Sequence, residues 1–203
     1  MPASTPLHEA DTRTEPATRG RGFVAVLFAV YLALLVWLVL WKLQPPWIGT
    51  DADRVVKLVP FVAAGGEGAS NPREVLANLL LFVPFGLYLG LLAPRWPWWR
   101  STAVLAGVSL GLELAQFVLA VGSTDLTDVL VNTAGGGVGL ALLALARRAL
   151  RGHTAAVLGP VCAVGTAVAV LATVLVVASP VRFGPPDRGG LRDAEPAPHS
   201  LTP

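Results

Sequence analysis

Hydrophobic residues occur along the chain in long blocks, without the alternation or heptad repeats typical of many soluble folds. A helix of about 20 apolar residues spans the hydrocarbon core of a bilayer, which is about 30 Å thick. Five blocks predict such helices: Phe23–Trp41, Val75–Leu92, Thr102–Val121, Val129–Ala146 and Ala155–Ala178. The pattern therefore predicts an all-α integral membrane protein with five transmembrane helices.

The first block, residues 23–41, could be a cleaved signal peptide instead of a transmembrane helix. Its apolar run is longer than that of a usual signal peptide, and no small-x-small cleavage site follows it. Lys42, Gln44 and two prolines come next. We interpret this block as a retained membrane anchor.

Basic residues flank the blocks in an alternating manner, and cytoplasmic loops of membrane proteins carry an excess of Lys and Arg. They precede the first block and lie between the second and third and between the fourth and fifth: Arg13, Arg19, Arg21, Arg95, Arg100, Arg147, Arg148 and Arg151. Residues 122–128, between the third and fourth blocks, contain no basic residue. The predicted orientation has the N-terminus in the cytoplasm and the C-terminus outside.

Composition supports a membrane protein and excludes several other classes. Hydrophobic residues make up 54% of the chain and charged residues 14%, against about 25% charged residues in soluble domains. The net charge of +2 and the scattered arginines do not favour nucleic-acid binding. The single cysteine, Cys162, cannot form a disulfide framework and is interpreted as a small apolar residue. Residues 1–22 and 180–203 are polar and Pro-rich and are expected to be disordered tails.

Six polar residues fall at one face of the membrane in the predicted topology. They are Asn78, Glu113, Gln116, Asp125, Asp128 and Asn132. Glu113 would lie about 12 Å below the outer end of the third helix, at about 1.5 Å per residue. An ionisable residue at such a depth is a functional hypothesis by default. We therefore predict a binding site at the outer membrane face, with Glu113 as a candidate catalytic residue.

Each of these residues also has a structural interpretation. Glu113 could be protonated and hydrogen-bonded to another helix. Asp125 and Asp128 are candidate metal ligands, but they could equally cap the fourth helix and oppose its dipole. Asn78 and Asn132 could form hydrogen bonds between helices. The sequence alone leaves these alternatives open.

Three small-residue motifs predict close helix packing. They are Gly86-x-x-x-Gly90, Gly107-x-x-x-Gly111 and Gly135-x-x-x-Gly139, on the second, third and fourth helices. The pair on the third helix is expected to contact a neighbouring helix on the side opposite Glu113. Pro84 is expected to kink the second helix.

Residues 107–111 also match the G-x-S-x-G pattern of serine hydrolases, with Ser109 at its centre. That motif requires a strand–turn–helix context and a histidine partner. Here it lies within a predicted helix, and the histidines His8, His153 and His199 lie in tails or a loop. The sequence does not predict hydrolase chemistry of this kind, and no motif specifies a cofactor.

The polar residues also carry a family resemblance. The Asn-x-x-x-Phe-x-Pro-x-Gly pattern of residues 78–86, followed by Glu113-Leu-Ala-Gln116, Asp125-Leu-Thr-Asp128 and Asn132-Thr-Ala-Gly135, resembles the signature of VanZ-like proteins. Leu58-Val59-Pro60-Phe61 is similar to the upstream Leu-Ile-Pro-Phe element of that signature. The resemblance covers residues 55–146 and leaves 155–178 as an extra transmembrane helix. Gly122 stands where the family commonly has Arg, and Lys57 where it often has Asn.

The resemblance implies a multi-pass protein of the plasma membrane with a link to resistance against teicoplanin and related lipoglycopeptides. Three functions remain in competition. The protein could bind or shield a ligand at the outer face, such as a lipid-linked envelope precursor or the lipoglycopeptide itself. It could be an intramembrane enzyme that modifies an envelope lipid, with Glu113 as acid or base. It could be a small transporter. Membrane lipids are expected partners in each case.

Overall fold

The computed structural model describes residues 15–42, 44–49, 55–57 and 72–179. Within them lie five α-helices and two three-residue strands: α1 (Glu15–Trp41), β1 (Val55–Lys57), α2 (Pro72–Leu92), α3 (Trp98–Leu119), β2 (Ser123–Asp125), α4 (Leu126–Leu150) and α5 (Thr154–Ala178). Every one of these helices is long and apolar enough to cross a membrane. The prediction of a five-helix membrane protein is confirmed, with one short strand pair added.

The helix boundaries differ from the predicted ones mainly at the N-terminal ends. Helix α1 begins at Glu15, so residues 15–22, which we expected to be disordered, are helical. A proline near a helix start is tolerated because the first N–H groups have no partner inside the helix, and Pro16 occupies such a position. Residues 1–14 and 180–203, together with Leu58–Phe61, lie outside the described residues.

Helices α2 and α4 form the closest helix pair of the bundle, and glycines make this approach possible. A Cβ atom added at Gly86 would collide with the carbonyl oxygen of Gly136, and one added at Gly139 would collide with that of Val83. Backbones can come this near only where side chains are absent. The packing prediction is confirmed for these two motifs, whereas the kink expected at Pro84 stays a prediction.

The packing prediction for Gly107 and Gly111 was wrong. A Cβ atom added at either residue meets no atom within 4 Å, and both glycines are exposed. Helix α3 contacts α4 instead through a different face, where Leu105 lies against Gly136. This rotation of α3 brings its polar residues into the interface with α4.

Aromatic residues pack α1 against α2, and two hydroxyl groups fix helix positions. The ring of Phe28 lies 5.3 Å from that of Phe85 and 5.4 Å from that of Tyr88. The Tyr31 hydroxyl donates to the carbonyl oxygen of Leu81. The Tyr88 hydroxyl lies 2.6 Å from the Thr166 hydroxyl and 3.1 Å from the carbonyl oxygen of Cys162. Tyr88 therefore links α5 to the rest of the bundle.

The two ends of the bundle differ in chemistry. Helices α1 and α3 end, and α2 and α4 begin, at what we call the polar end. At the opposite end, Arg21 donates to the carbonyl oxygen of Leu92 at 2.9 Å and Arg147 to that of Gly90 at 2.7 Å. Carbonyl groups in the last turn of a helix lack partners within the helix. These two arginines therefore supply hydrogen-bond donors to backbone carbonyl groups in the C-terminal turn of α2.

Candidate functional site

Helices α3 and α4 run in opposite directions and present polar residues to each other at matching levels. Residues 109, 113 and 116 of α3 lie on one face, because spacings of 4 and 3 residues keep side chains on the same side of a helix. Residues 125, 128 and 132 at the start of α4 have the same spacing in the reverse order. With the neighbouring asparagine of α2, these form the polar cluster: Asn78, Ser109, Glu113, Gln116, Asp125, Asp128 and Asn132.

The deepest contact of the polar cluster joins Asn132 to Ser109. The Asn132 side-chain amide donates to the Ser109 hydroxyl at 2.9 Å. Ser109 lies near the middle of α3 and is fully buried. The polar cluster therefore extends from the polar end about halfway along α3. Ser109 acts as a partner of Asn132 within the helix pair, in agreement with the rejection of a hydrolase motif.

Glu113 occupies the next level and binds the segment that leads into α4. Its Oε2 accepts a hydrogen bond from the backbone N–H of Asp125 at 2.8 Å. The Thr124 hydroxyl donates to the Glu113 backbone carbonyl at 3.2 Å. Glu113 is only 2% exposed. One carboxylate oxygen thus holds β2 against α3, while the other, Oε1, takes no part in that contact.

The two aspartates are satisfied by hydrogen bonds in different ways. Asp125 caps α4, because its side chain accepts from the backbone N–H of Thr127 at 2.7 Å. Asp128 accepts from the side-chain amide of Asn78 at 2.8 Å, which joins the start of α4 to the start of α2. These contacts account for the acidic pair without an arginine at position 122. A Cβ atom at Gly122 would meet only the Gln116 amide nitrogen, at 3.6 Å.

Gln116 lies at the outermost level of the polar cluster and contacts α1. Its amide group donates to the backbone carbonyl of Val39 at 3.0 Å. Its side-chain oxygen Oε1 and the Oδ1 atom of Asn132 are buried and accept no hydrogen bond from the described residues. Buried polar atoms in proteins are nearly always paired. The polar cluster therefore offers two buried acceptors, one at each of its ends.

Hydrogen bonds join neighbouring segments at the polar end. Strand β1 pairs in parallel with β2, with Lys57 opposite Asp125. The segment after α1 reaches α3, where the Gly49 N–H donates to the Leu119 carbonyl at 2.9 Å. The indole N–H of Trp41 donates to the Trp47 carbonyl at 2.9 Å. These contacts hold β1 beside β2 and the segment after α1 against the end of α3.

The polar cluster can form hydrogen bonds to a ligand that carries several donor groups. Ionised carboxylates and amide oxygens act as acceptors, and Glu113 supplies the most buried carboxylate of the polar cluster. The described residues contain no group of three or more His, Cys, Asp or Glu side chains suited to a metal ion. The candidate metal role of Asp125 and Asp128 therefore gains no support from neighbouring ligands of these kinds.

Sequence reasoning named six members of the polar cluster and missed Ser109. The structure brings Asn78 to Asp128 and Glu113 to Asp125, whereas Gln116 turns towards α1. Ser109 precedes Glu113 by four residues, so the helical spacing itself could have identified it. In the sequence Ser109 stands out only as the centre of the rejected hydrolase pattern, and was therefore not grouped with the other polar residues.

Comparison with known proteins gives a consistent result. The sequence model of the VanZ/LLP1 family matches residues 28–147, which include the first four helices except the N-terminal part of α1 and the last residues of α4. Protein VanZ of Enterococcus faecium is 40% identical over 124 residues, which cover 60% of this chain and 74% of that protein. No solved structure matches. The match includes all seven residues of the polar cluster.

Proposed function

The chain belongs to the VanZ/LLP1 family, and from this premise we propose that it acts at the cell envelope in resistance to teicoplanin-type lipoglycopeptides. In this proposal the polar cluster faces the outside of the plasma membrane and binds a ligand there. The ligand is a lipid-linked envelope precursor or the lipoglycopeptide, and binding shields the target from the antibiotic.

One observation favours a ligand-binding protein over the alternatives. The Oε1 atom of Gln116 and the Oδ1 atom of Asn132 are buried acceptors without partners among the described residues. Leaving such a group unpaired costs about 1–3 kcal/mol. A ligand that brings hydrogen-bond donors to the polar end would recover the part of this cost that belongs to Gln116, the outer of the two residues. Peptide and sugar groups of envelope precursors and of glycopeptides are rich in such donors.

The direct test is teicoplanin susceptibility of a host that lacks the protein and receives either the wild type or Glu113→Gln. Membrane levels are matched by immunoblot. Glu74→Gln is the control, because Glu74 is an exposed carboxylate in the first turn of α2. We expect resistance from the wild type and from Glu74→Gln, and its loss with Glu113→Gln. Equal resistance from all three would restrict Glu113 to a structural role, and no resistance from any would refute the proposed function.

An intramembrane enzyme is the second candidate function. Glu113 supports it, since a buried carboxylate with one oxygen committed to the Asp125 N–H could exchange a proton through the other. An enzyme would change the lipids of the membrane, whereas a binding protein would not. Mass spectrometry of lipids from expressing and null cells separates the two, and identical lipid profiles would remove the enzymatic alternative.

A further inference from the structure

Exposed arginine side chains gather at the end of the bundle opposite the polar cluster, where α2 and α4 end and α3 and α5 begin. They come from α1, from the turn between α2 and α3, from the first turn of α3 and from the end of α4. We call this set the arginine surface: Arg21, Arg95, Arg100, Arg147, Arg148 and Arg151.

Helices α2 to α5 set no carboxylate against the arginine surface. Residues 75–112 and 129–178 contain neither Asp nor Glu, and the acidic residues of these helices lie at the polar end. On α1 the nearest acidic position is Glu15, and about 9 Å of helix separates it from Arg21. The arginine surface therefore carries a positive charge that the surrounding helices do not neutralise.

Contacts within the protein use only part of the binding capacity of these arginines. Arg21 donates to the Leu92 carbonyl and Arg147 to the Gly90 carbonyl, whereas a guanidinium group has five N–H donors. The C-terminal end of a helix carries about half a negative charge, which is less than the two positive charges at the end of α2. Both donors and positive charge therefore remain for an anionic partner.

Three tryptophans place the arginine surface at the level of the lipid headgroups. Trp96, Trp98 and Trp99 are 38%, 78% and 60% exposed, and indole rings are enriched where a membrane meets water. The Arg100 guanidinium lies 4.6 Å from the centre of the Trp96 ring, so its charge is held beside one of these rings. The anion best placed to meet the arginine surface is therefore the phosphate of a lipid.

We propose that the arginine surface binds anionic phospholipids in preference to zwitterionic ones, in the leaflet at that end of the bundle. A guanidinium group presents paired N–H donors that match the oxygens of a phosphate. The headgroup of a zwitterionic phospholipid also carries a cation, which the arginines repel, whereas an anionic headgroup carries none. This inference concerns the end opposite the polar cluster and does not depend on the proposed function.

The test is a competition between phosphatidylglycerol and phosphatidylcholine with identical acyl chains for the full-length protein in detergent. Mass spectrometry under non-denaturing conditions gives the dissociation constant of each lipid. We expect the wild type to bind phosphatidylglycerol about fivefold more tightly or better, since one basic residue near an anionic surface already contributes about this factor. Equal affinities for the two lipids would overturn the proposal.

A matched pair of double variants locates the preference. Arg95→Gln with Arg148→Gln removes two charges from the arginine surface, whereas Lys42→Gln with Arg73→Gln removes two exposed charges from the polar end. We expect the first variant to reduce the preference by about fivefold or more and the second to retain it. Equal reduction in both would overturn the proposal, because the preference would then follow the total charge of the protein.

Thermal unfolding in the same detergent shows whether each variant is folded. If the first double variant does not fold, Arg148→Gln against Arg73→Gln makes the same comparison with one charge, at two exposed positions on opposite ends of the bundle. A preference retained in a folded variant of the arginine surface would overturn the proposal.

Discussion

The side-chain carboxylate of Glu113 accepts a hydrogen bond from the backbone N–H of Asp125 at a distance of 2.8 Å. This contact fixes the turn between α3 and α4 at the point where α4 begins, because Asp125 is also the N-cap of that helix. Glu113 is thus a structural residue through one oxygen, whatever its role through the other. The same carboxylate can serve both purposes, and suitable substitutions separate them.

Glu113→Ala should destabilise the fold more than Glu113→Gln does. Alanine leaves the buried N–H of Asp125 without its acceptor, which costs about 1–3 kcal/mol. Glutamine keeps a carbonyl oxygen at the same place. The midpoint of thermal unfolding in detergent measures the difference, and equal stability of the two variants would show that this hydrogen bond contributes little.

The contact between Asn78 and Asp128 should couple α2 to α4. A double-mutant cycle with Asn78→Ala and Asp128→Ala is expected to give a coupling energy of about 0.6 kcal/mol, within the range measured for hydrogen bonds between membrane helices. Asn78→Ala combined with Thr102→Ala is the control, since the Thr102 hydroxyl donates to Trp98 within its own helix. A coupling energy near zero in the first cycle would contradict the role of this contact.

The sequence pattern was sufficient to predict the five helices and the clustering of polar residues at one end. Block length identifies a transmembrane helix, and the alternation of helix directions places residues 78, 113 and 132 near the same end of the bundle. Both arguments use distance along a helix axis, which the sequence gives directly. The start of α1 is an exception, because residues 15–22 are polar yet continue the helix beyond the apolar block.

Rotation about the helix axes was harder to predict. Lipid tails are as apolar as the residues of a membrane helix, so hydrophobicity does not distinguish the packed face from the lipid-facing one. For this reason Gly107 and Gly111 were assigned to an interface that they do not form, and Ser109 was not placed among the residues that face α4. The contact of Tyr88 with Thr166 was missed for the same reason, since it depends on how α2 and α5 are turned towards each other.

Gly139→Ala and Gly111→Ala should have opposite effects on stability. A Cβ atom at Gly139 collides with the Val83 carbonyl of α2, and overpacking of this kind costs about 1–3 kcal/mol. A Cβ atom at Gly111 meets no atom within 4 Å, and alanine is favoured over glycine in a helix by about 1 kcal/mol. Unfolding of both variants in the same detergent tests this, and a stabilising effect at Gly139 would contradict the close approach of α2 and α4.

Loss of the Thr166 hydroxyl should loosen the attachment of α5. Thr166→Val removes the nearer of the two partners of the Tyr88 hydroxyl, leaves the Cys162 carbonyl, and preserves side-chain volume. Cys162 is the single cysteine of the chain and is buried at this contact, so its rate of reaction with a maleimide reports how often α5 separates. We expect faster labelling in Thr166→Val than in the wild type. Thr173→Val on the same helix is the control and should label at the wild-type rate, and unchanged labelling of Thr166→Val would show that other contacts hold α5.

The orientation of the bundle remains a prediction, and it determines whether the polar cluster faces the outside of the cell. Two positions can be compared after Cys162→Ala has removed the native thiol. Ile48 is 75% exposed and follows α1 at the polar end, whereas Pro94 lies between α2 and α3 at the opposite end. The basic residues near Pro94, Arg95 and Arg100, favour a cytoplasmic position. A membrane-impermeant maleimide added to intact cells should therefore label Ile48→Cys directly and Pro94→Cys only after permeabilisation.

The reverse pattern would place the polar cluster at the cytoplasmic face. Because a ligand outside the cell could not then reach it from that side, this result would contradict the proposed binding site and leave the contacts among its residues unchanged.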